Sequence, residues 1–390
     1  MRKYSLFIII TFLLTFILAT PAAAETAQSQ PETLADGAKS AILMERDTGE
    51  ILFDKNSHEK LPPASMTKTM TLLLIMEALE AGTLKKDEMI RVSEKAASMG
   101  GSQIFLEAGE EMSVNDLLKG IAVASGNDAS VALAERIAGS EEAFVEKMNE
   151  KVKELGLENT KFQNTTGLPA ENHYSTSYDM AVIAKELLKY ESITEYTSIY
   201  EDYLRKGEEN EFWLVNTNKL VHFYPGVDGL KTGYTNEAKY YLTATAKKDD
   251  MRVIAVVMGA ETPKDRNNMI SNLLDYAYSQ FETKQLFEKD EKIKTLNFKK
   301  AENMQTNIVA SESISTIYKK GEFPEDIVHE TEINDNLELP IKRGDKIGTL
   351  YVKEGTKVLT ETDLTVDHDV EKAGYYTLLK RAIQDISKAK

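Results

Sequence analysis

The chain has 390 residues, a net charge of −16 and no cysteine. This length allows more than one domain with a sizeable core, and the lack of cysteine excludes disulfides, thiol catalysis and c-type haem attachment. Nucleic-acid binders carry a basic surface, so we expect no nucleic-acid partner. The five histidines are scattered without the spacing of a zinc site, so the sequence predicts no metal.

The N-terminal segment has the order of a secretory signal. Two basic residues precede an apolar run from Leu6 to Leu18, and small residues follow from Pro21. This run is short for a membrane span, so we predict a signal peptide at residues 1–24 rather than an uncleaved anchor. A polar lead follows at residues 25–36. The protein is therefore expected to be exported, either to the outer face of the cytoplasmic membrane or into the cell wall.

Residues 37–285 carry the elements of an α+β domain. Two apolar runs joined at Asp47-Thr48-Gly49 indicate a β-hairpin. Helical periodicity begins near Ser65 and recurs in further segments, one with Ser113 as its predicted N-cap and one with Asp179. Residues 227–260 are rich in β-branched and aromatic residues and predict adjacent antiparallel strands, before a last helix. This order of elements favours α+β.

The remaining chain changes character twice. Residues 286–369 contain short β-type runs punctuated by glycines and predict a smaller β-rich domain. Residues 370–390 predict an amphipathic helix, and the side chains of residues 372–390 sum to +4. A basic amphipathic helix with tyrosines at its start suits a membrane interface, although packing against its own domain is the alternative. The predicted apolar face consists of Tyr375, Leu379, Ala382, Ile383 and Ile386.

The segment PPASMTKTM places a hydroxyl and an amine one helical turn apart. Ser65 and Lys68 project to the same face of the predicted helix start. Ser65 can attack an acyl carbon if a neutral amine takes its proton, and Lys68 is that amine if desolvation or a second cation lowers its pKa. In isolation the pair is a common coincidence.

Two further motifs give the pair its significance. Ser125 and Asn127 lie in IAVASGNDAS, between two helical patterns, where a loop can direct a hydroxyl and an amide into a cleft. VDGLKTGYT places Lys231 on a predicted strand, where it supplies a second cation near Lys68. Thr232 can hydrogen-bond a carboxylate, and Gly233 lets substrate backbone approach the strand edge. The order S-x-x-K, S-x-N, K-T-G is that of penicillin-binding proteins and serine β-lactamases.

With these blocks, and with NTTGLPAENHYSTSYDMA between them, the chain resembles the low-molecular-weight penicillin-binding proteins. These are the D-alanyl-D-alanine carboxypeptidases of serine peptidase family S11. The resemblance covers nearly the whole chain. The chain is especially similar to enzymes of Gram-positive spore formers, so the resemblance also implies a possible role in sporulation. It implies a transpeptidase/β-lactamase-like domain, which consists of an antiparallel sheet with helices on both faces. The smaller all-β domain and the terminal helix follow this domain.

The resemblance also implies a role for each motif residue. Ser65 becomes the acyl-ester nucleophile, Lys68 its proton acceptor, and Ser125 a proton relay to the leaving D-alanine. Asn127 binds the substrate amide and holds Lys68, while Lys231 acts electrostatically on substrate and relay.

Two further positions complete the implied site. The backbone N–H groups of Ser65 and Tyr234 form the oxyanion hole, and Arg266 lies near the substrate's terminal carboxylate. The implied substrates are peptidoglycan stems ending in D-Ala-D-Ala. β-Lactams are implied as covalent inhibitors, and no metal or organic cofactor is implied.

Three other functions use related residues. D,D-endopeptidase or transpeptidase activity needs the same site. A class A β-lactamase needs a Glu-x-x-x-Asn between the second and third motifs, and none occurs from Asn127 to Lys231, which disfavours efficient β-lactam turnover. A catalytically silent cell-wall binding protein is disfavoured because every motif residue is present. Outside the motifs we interpret Trp213 as packing, His173 as a loop residue and Asp228 as a turn former.

Overall fold

The computed structural model describes residues 33–324 and 326–388. The predicted signal peptide and most of the predicted polar lead lie outside the described residues. Within these two ranges no helix is both long enough and apolar enough to cross a membrane.

A five-stranded antiparallel sheet forms the centre of the first domain. The strands up to residue 260 are β1 (Ser40–Glu45), β2 (Ile51–Lys55), β3 (Met89–Arg91), β4 (Glu111–Ser113), β5 (Glu201–Leu204), β6 (Phe212–Val215), β7 (Val227–Thr235), β8 (Lys239–Lys248) and β9 (Met251–Ala260). The sheet order is β2-β1-β9-β8-β7, while β3 pairs with β4 and β5 with β6. The predicted hairpin and the predicted antiparallel strands are confirmed. β7 is an edge strand of this sheet.

Helices cover both faces of this sheet, as predicted. They are α1 (Lys68–Glu80), α2 (Glu94–Ala97), α3 (Val114–Ala124), α4 (Asn127–Ala138), α5 (Glu141–Glu154), α6 (Ser177–Leu187), α7 (Thr194–Thr197), α8 (Leu220–Phe223) and α9 (Pro263–Gln280). Side chains alternate along β1, so Ile42 and Met44 join the core that contains α1 and α6, whereas Ala41 and Leu43 join the core that contains α9. The sheet is therefore buried on both sides.

The helix starts show how local chemistry sets the boundaries. Ser113, the predicted cap of α3, accepts a hydrogen bond from the N–H of Asp116. The prediction for Asp179 was wrong, because α6 begins at Ser177 and the hydroxyl of Thr176 accepts from the N–H of Asp179 at 3.0 Å. Thr176 has the extended backbone that a cap requires, and the Asp179 carboxylate instead accepts from the hydroxyl of Thr160 at 2.7 Å.

A second, all-β domain follows α9. Its strands are β10 (Phe281–Phe287), β11 (Lys292–Asn297), β12 (Gln305–Ala310), β13 (Ile314–Lys319), β14 (Ile327–Ile333), β15 (Gly348–Glu354) and β16 (Lys357–Val366). Five of them form a sheet in the order β11-β12-β16-β15-β14, and β10 pairs with β13. The predicted domain boundary at residue 285 falls inside β10, because the chain passes from the end of α9 directly into that strand.

Charged residues join the two domains at a contact that we call the domain junction. The Arg46 guanidinium lies 2.6 Å from the Asp47 carboxylate and donates to the Ser313 hydroxyl at 3.1 Å. The Ser315 hydroxyl also donates to Asp47, at 2.7 Å. A second ion pair, between Lys189 and Glu312 at 2.8 Å, crosses the same contact. Arg46 and Lys189 therefore each lie within ion-pair distance of a carboxylate.

The last element is the predicted terminal helix, α10 (Tyr375–Lys388). The Arg381 guanidinium donates to the carbonyls of Ala301 and Glu302, both at 2.6 Å, and so holds one side of α10 against the β-rich domain. The predicted apolar face points outward, with Tyr375 73%, Leu379 44% and Ile383 59% exposed. The side chain of Ile386, also assigned to that face, lies outside the described residues.

Candidate active site

Ser65 lies in a short 3₁₀ helix, Ala64–Thr67, that leads directly into α1; we call this segment the Ser65 turn. Ala64 has a left-handed backbone, with φ of 49°. For a residue other than glycine this costs about 1–3 kcal/mol and is typical of functional sites. Gly167 packs so closely that a Cβ there would lie 1.8 Å from the Ala64 carbonyl oxygen and 2.8 Å from the Ser65 nitrogen. The turn is therefore braced by a backbone approach that only glycine permits.

Lys68 opens α1 and is completely buried. Its Nζ lies 2.6 Å from Asn127 Oδ1, 2.8 Å from the Thr166 carbonyl oxygen and 3.3 Å from Ser65 Oγ. Desolvation by burial, followed by the positive charge of Lys231, holds the pKa of Lys68 well below its ordinary value, against an opposing effect of Asp128. The sequence prediction that Lys68 needs a second cation is consistent with this pattern.

The hydrogen bonds of Lys68 define what a neutral amine can do at this position. A neutral amine has two N–H groups and one lone pair, and the oxygens of Asn127 and Thr166 act here only as acceptors. They take the two N–H groups, which leaves the lone pair for the hydroxyl of Ser65. In that state Ser65 donates its proton to Lys68 Nζ, and the pair can generate a nucleophile.

Ser125 lies between α3 and α4 with a left-handed backbone, φ 63° and ψ 33°. Its side chain is buried, and its Oγ has no hydrogen-bond partner among the described residues. Buried hydroxyls are normally hydrogen-bonded, so the Ser125 hydroxyl is available to a group that enters the cleft. The role of Ser125 as a proton relay stays a prediction.

Asn127 is held in one orientation by its neighbours. Its Nδ2 donates to the Gly100 carbonyl at 2.6 Å and its backbone N–H to the Ser102 carbonyl at 2.7 Å. These bonds direct Oδ1 towards Lys68. The adjacent Asp128 carboxylate accepts from the N–H groups of Ile104 and Leu106, so the same helix start also fixes the wall of the cleft.

Lys231, on β7, and Arg266, on α9, place two cations close together. Their exposed fractions are 1% and 5%. Burial first, and then the charge of Arg266, lowers the pKa of Lys231 to about 7, while burial lowers the pKa of Arg266 to about 10. Among the described residues neither forms an ion pair with a carboxylate. Within the described part of the chain, the Arg266 guanidinium donates hydrogen bonds to Asn267 Oδ1, at 3.0 and 2.8 Å. This is an uncompensated positive region suited to an anionic substrate group.

The other residues of the third motif line the same part of β7. Thr232 donates its hydroxyl to Thr217 Oγ1 at 2.7 Å. Gly233 packs on the Ser65 turn, where a Cβ would lie 3.2 Å from the Pro63 carbonyl oxygen. This packing supplies a further reason for glycine besides the predicted approach of substrate. Tyr234 is half exposed, stacks on Tyr240 with ring centroids 4.5 Å apart, and follows Gly233 beside the Ser65 turn.

Contacts between the segments bring all three motifs into one cleft. Lys68 reaches Asn127, two residues beyond Ser125. The Thr217 N–H donates to the Val123 carbonyl at 3.2 Å and so links the end of α3 to Thr232 and β7. The sequence interpretation missed Thr217, and no pattern in the chain distinguishes it.

The loop that carries Thr166 and Gly167 was also missed as a functional element. Its glycine within NTTGLPA was the available signal, since a glycine between polar residues indicates a special backbone conformation. Asn164 Oδ1 accepts from the N–H groups of Thr166 and Gly167, at 3.1 and 2.7 Å, and shapes the loop. Without this loop Lys68 would lose one of its two acceptors.

Three residues outside the motifs were assigned structural roles from the sequence, and the structure does not support all three assignments. Asp228 was wrongly interpreted as a turn former, because it lies within β7, where its carboxylate pairs with Arg252 through two contacts of 2.8 Å. His173 does lie in a loop, but it is buried, its pKa is lowered by burial to about 4, and its Nε2 meets Thr67 Oγ1 at 2.9 Å. Trp213 was wrongly interpreted as packing, because it is 55% exposed on the outer face of the β5–β6 hairpin.

No group of three or more metal-ligating side chains occurs in the part of the chain that the structure describes.

Comparison with known proteins gives a consistent result over the whole chain. The profile of the D-alanyl-D-alanine carboxypeptidase family matches residues 24–262, and that of the penicillin-binding protein 5 C-terminal domain matches residues 281–372. D-alanyl-D-alanine carboxypeptidase DacF of Bacillus subtilis is 56% identical over 389 residues, covering 100% of both chains. DacC of Escherichia coli is 34% identical over 368 residues, covering 93% of this chain and 91% of its own.

Solved structures agree with both matches. Penicillin binding protein 5 from Haemophilus influenzae superposes with a TM-score of 0.66 at 32% identity, covering 86% of this chain and 98% of its own. Penicillin-binding protein D2 from Listeria monocytogenes, in its ampicillin bound form, gives a TM-score of 0.56 at 30% identity, covering 62% of this chain and 98% of its own.

Proposed function

The chain belongs to the D-alanyl-D-alanine carboxypeptidase family of serine peptidases, and from that premise we propose which of its residues carry the reaction. The protein is a serine-type hydrolase that removes the terminal D-alanine from peptidoglycan stems through an acyl-enzyme, and penicillin acylates it. One observation carries the residue assignment: a buried lysine whose hydrogen bonds leave its lone pair to Ser65.

Acylation begins with proton transfer from Ser65 to Lys68. The Ser65 oxygen attacks the carbonyl carbon of the penultimate D-alanine, and the N–H groups of Ser65 and Tyr234 bind the resulting oxyanion. The proton passes through Ser125 to the amine of the leaving D-alanine, which departs neutral. Water then attacks the ester carbonyl carbon and gives a proton to Lys68. The bond between the acyl carbon and the Ser65 oxygen breaks, the Ser65 oxygen takes the proton back from Lys68, and the shortened stem leaves.

Substrate recognition rests on charge at one end of β7. We assign the terminal carboxylate of the stem to Lys231, Thr232 and Arg266, supported by the burial of both cations without a carboxylate partner in the described residues. Asn127 holds the substrate amide as well as Lys68, and Gly233 lets the substrate backbone lie along the free edge of β7.

A paired assay tests the assignment. Ser65→Ala is expected to abolish D-alanine release from a pentapeptide and labelling by a fluorescent penicillin, while its unfolding transition stays that of the wild type. Ser192→Ala, outside the cleft, serves as the matched control and keeps both activities. Near-wild-type release by Ser65→Ala would refute the nucleophile.

D,D-endopeptidase activity is the second candidate, since a cross-linked stem presents a carboxylate beside its scissile bond as well. Release of D-alanine from a pentapeptide and cleavage of a cross-linked muropeptide, measured side by side, separate the two. We expect the pentapeptide to be the faster substrate.

The enzyme acts outside the cytoplasm, as its family does. We propose that α10 associates reversibly with the membrane surface, because its apolar side chains are exposed while Arg381 holds the helix in place. No nucleic acid is proposed as a partner, given the net charge of −16.

Vesicle sedimentation tests the membrane proposal. Replacing Leu379 and Ile383 by Asp should reduce sedimentation with anionic vesicles, and deletion of residues 372–390 should reduce it further without loss of soluble activity. Thr377→Ser, on the same helix, is the control. Unchanged sedimentation of the Asp variant would contradict the proposal.

A further inference from the structure

A pocket lies beside the Ser65 turn, beyond the end of β7, and we call it the side pocket. It has a volume of about 250 Å³ and is lined by the segments 60–64, 167–174 and 235–237. Ala64 and Gly167, which pack together at the Ser65 turn, are among its lining residues. The side pocket is thus adjacent to Ser65 in the chain, whereas the cations Lys231 and Arg266 do not line it.

The direction of the substrate along β7 determines which part of it reaches the pocket. This step rests on the proposed function, in which the terminal carboxylate lies at Lys231 and Thr232. The acyl portion of the stem then runs the other way, past Tyr234 towards Thr235. Successive Cα atoms lie about 3.8 Å apart, so the residue preceding the D-Ala-D-Ala pair is within reach of the pocket next to Ala64.

Two opposite charges line the side pocket without neutralising each other. Lys60 and Glu237 both contribute to its wall, yet neither forms an ion pair with any residue that the structure describes. The Lys60 ammonium lies 4.8 Å from the centre of the Tyr174 ring, a cation–π contact that directs it along the wall. An ammonium and a carboxylate are therefore presented to one cavity from different segments.

The segments that carry these charges are fixed by backbone hydrogen bonds. Leu61 and Ser175 exchange two N–H···O bonds, at 2.9 and 3.0 Å, which join the segment of Lys60 to that of Tyr174. On the opposite side the Ala238 N–H donates to Thr235 Oγ1 at 2.9 Å and sets the turn that holds Glu237. His173 at the base is neutral near pH 7, since its pKa is lowered by burial to about 4. The pocket is preformed and carries one charge of each sign.

We propose that the side pocket binds the side chain of the residue preceding D-Ala-D-Ala and favours one ending in both an ammonium and a carboxylate. Lys60 meets the carboxylate of such a diamino dicarboxylic acid, and Glu237 meets its ammonium. A side chain with an ammonium alone uses only Glu237, and a methyl side chain uses neither. The enzyme should therefore rank stem peptides by the charges on this residue.

Three peptides that differ only at this residue test the proposal: one with diaminopimelic acid, one with lysine and one with alanine. The readouts are D-alanine release and competition against acylation by a fluorescent penicillin. For each charge–charge contact we expect about a fivefold effect, as for partly exposed ion pairs. Lys60→Gln should lower kcat/KM for the diaminopimelic acid peptide alone. Glu237→Gln should lower it for the diaminopimelic acid and lysine peptides, and leave the alanine peptide unchanged.

Lys320→Gln and Glu209→Gln, exposed residues outside the pocket, are the matched charge controls and should leave the ranking unchanged. Equal kcat/KM values for the three peptides in the wild type, or equal losses on all three in the variants, would overturn the proposal. If no peptide released D-alanine, the proposed function would fail on its own. The competition assay would still test whether the pocket binds the peptides, because it measures binding without turnover.

Discussion

The domain junction and the catalytic cleft both bury cations, but they differ in what those cations face. At the junction Arg46 meets Asp47 at 2.6 Å and Lys189 meets Glu312 at 2.8 Å, and the pKa of each cation is raised. In the cleft Lys68 and Lys231 have no carboxylate within ion-pair distance among the described residues, and the pKa of each is lowered. Pairing favours the charged form of Arg46 and Lys189, and the Lys189–Glu312 pair also joins the two domains. Burial without pairing leaves an amine able to accept a proton, or a charge available to a substrate.

The largest expected effect comes from replacing the unpaired lysine by a residue that stays charged. Lys68→Arg should lower the rate of penicillin acylation by about 10²–10⁴-fold, because a guanidinium does not take the proton of Ser65. Lys189→Arg, at the junction, should leave the rate unchanged, since a paired cation needs only its charge. Stopped-flow acylation measures both, and equal effects would break the comparison.

The next effect concerns stability at the junction. Asp47→Asn removes the carboxylate that lies within ion-pair distance of the buried Arg46 and should lower the free energy of unfolding by about 3 kcal/mol. Asp290→Asn breaks an exposed pair with Arg343, whose side chains are 43% and 56% exposed, and should cost about 0.5 kcal/mol or less. Urea denaturation compares the two variants. Similar losses of unfolding free energy in the two variants would mean that the buried junction pair stabilises the protein no more than the exposed pair does.

A smaller effect is expected for Arg266, which is proposed to bind the substrate carboxylate, than for Lys68, which is proposed to accept the proton of Ser65. Arg266→Gln should reduce kcat/KM for a pentapeptide by about 10- to 100-fold, the range for one lost hydrogen bond to a charged group. The same variant should lose much less with a peptide whose terminal carboxylate is amidated. If both peptides lose equally, Arg266 does not contact the carboxylate.

The smallest effect is a pH dependence of stability. The pKa of Lys68 is lower in the folded protein than in the unfolded chain, so the unfolded chain binds more protons between the two values and a rise in pH favours folding. Relative to Lys68→Met, the wild type should gain up to about 1.4 kcal/mol per pH unit over the interval between the lowered pKa of Lys68 and its ordinary value of 10.5. Thermal unfolding at several pH values measures this difference, and a constant difference would contradict it.

Much of the site could be predicted because several of its reactive residues lie close together in short sequence motifs. Ser65 and Lys68 are one helical turn apart, so any helix start brings them together. The strands at residues 227–260 were recognisable from their β-branched composition. Residue types and spacing therefore sufficed for the nucleophile, its base and the sheet beside them.

What sequence reasoning missed acts through the backbone or through tertiary contact. Thr166 contributes a carbonyl, which every residue has, and Thr217 is brought to Thr232 only by the fold. Asp179 and Thr176 are both good caps, and the backbone conformation decided between them. Trp213 has a large apolar side chain, which suggests burial. Its exposure depends on how β5 and β6 pair, and the sequence around Trp213 does not specify that pairing.

The charge state of Lys68 is the claim on which the account depends most. An NMR titration of protein labelled with ¹³C at lysine Cε, with the Lys68 signal assigned through Lys68→Arg, measures it directly. We predict a midpoint well below 10.5, so that the amine is neutral while exposed lysines remain charged. A Lys68 signal that titrates with the exposed lysines, near 10.5, would contradict the account.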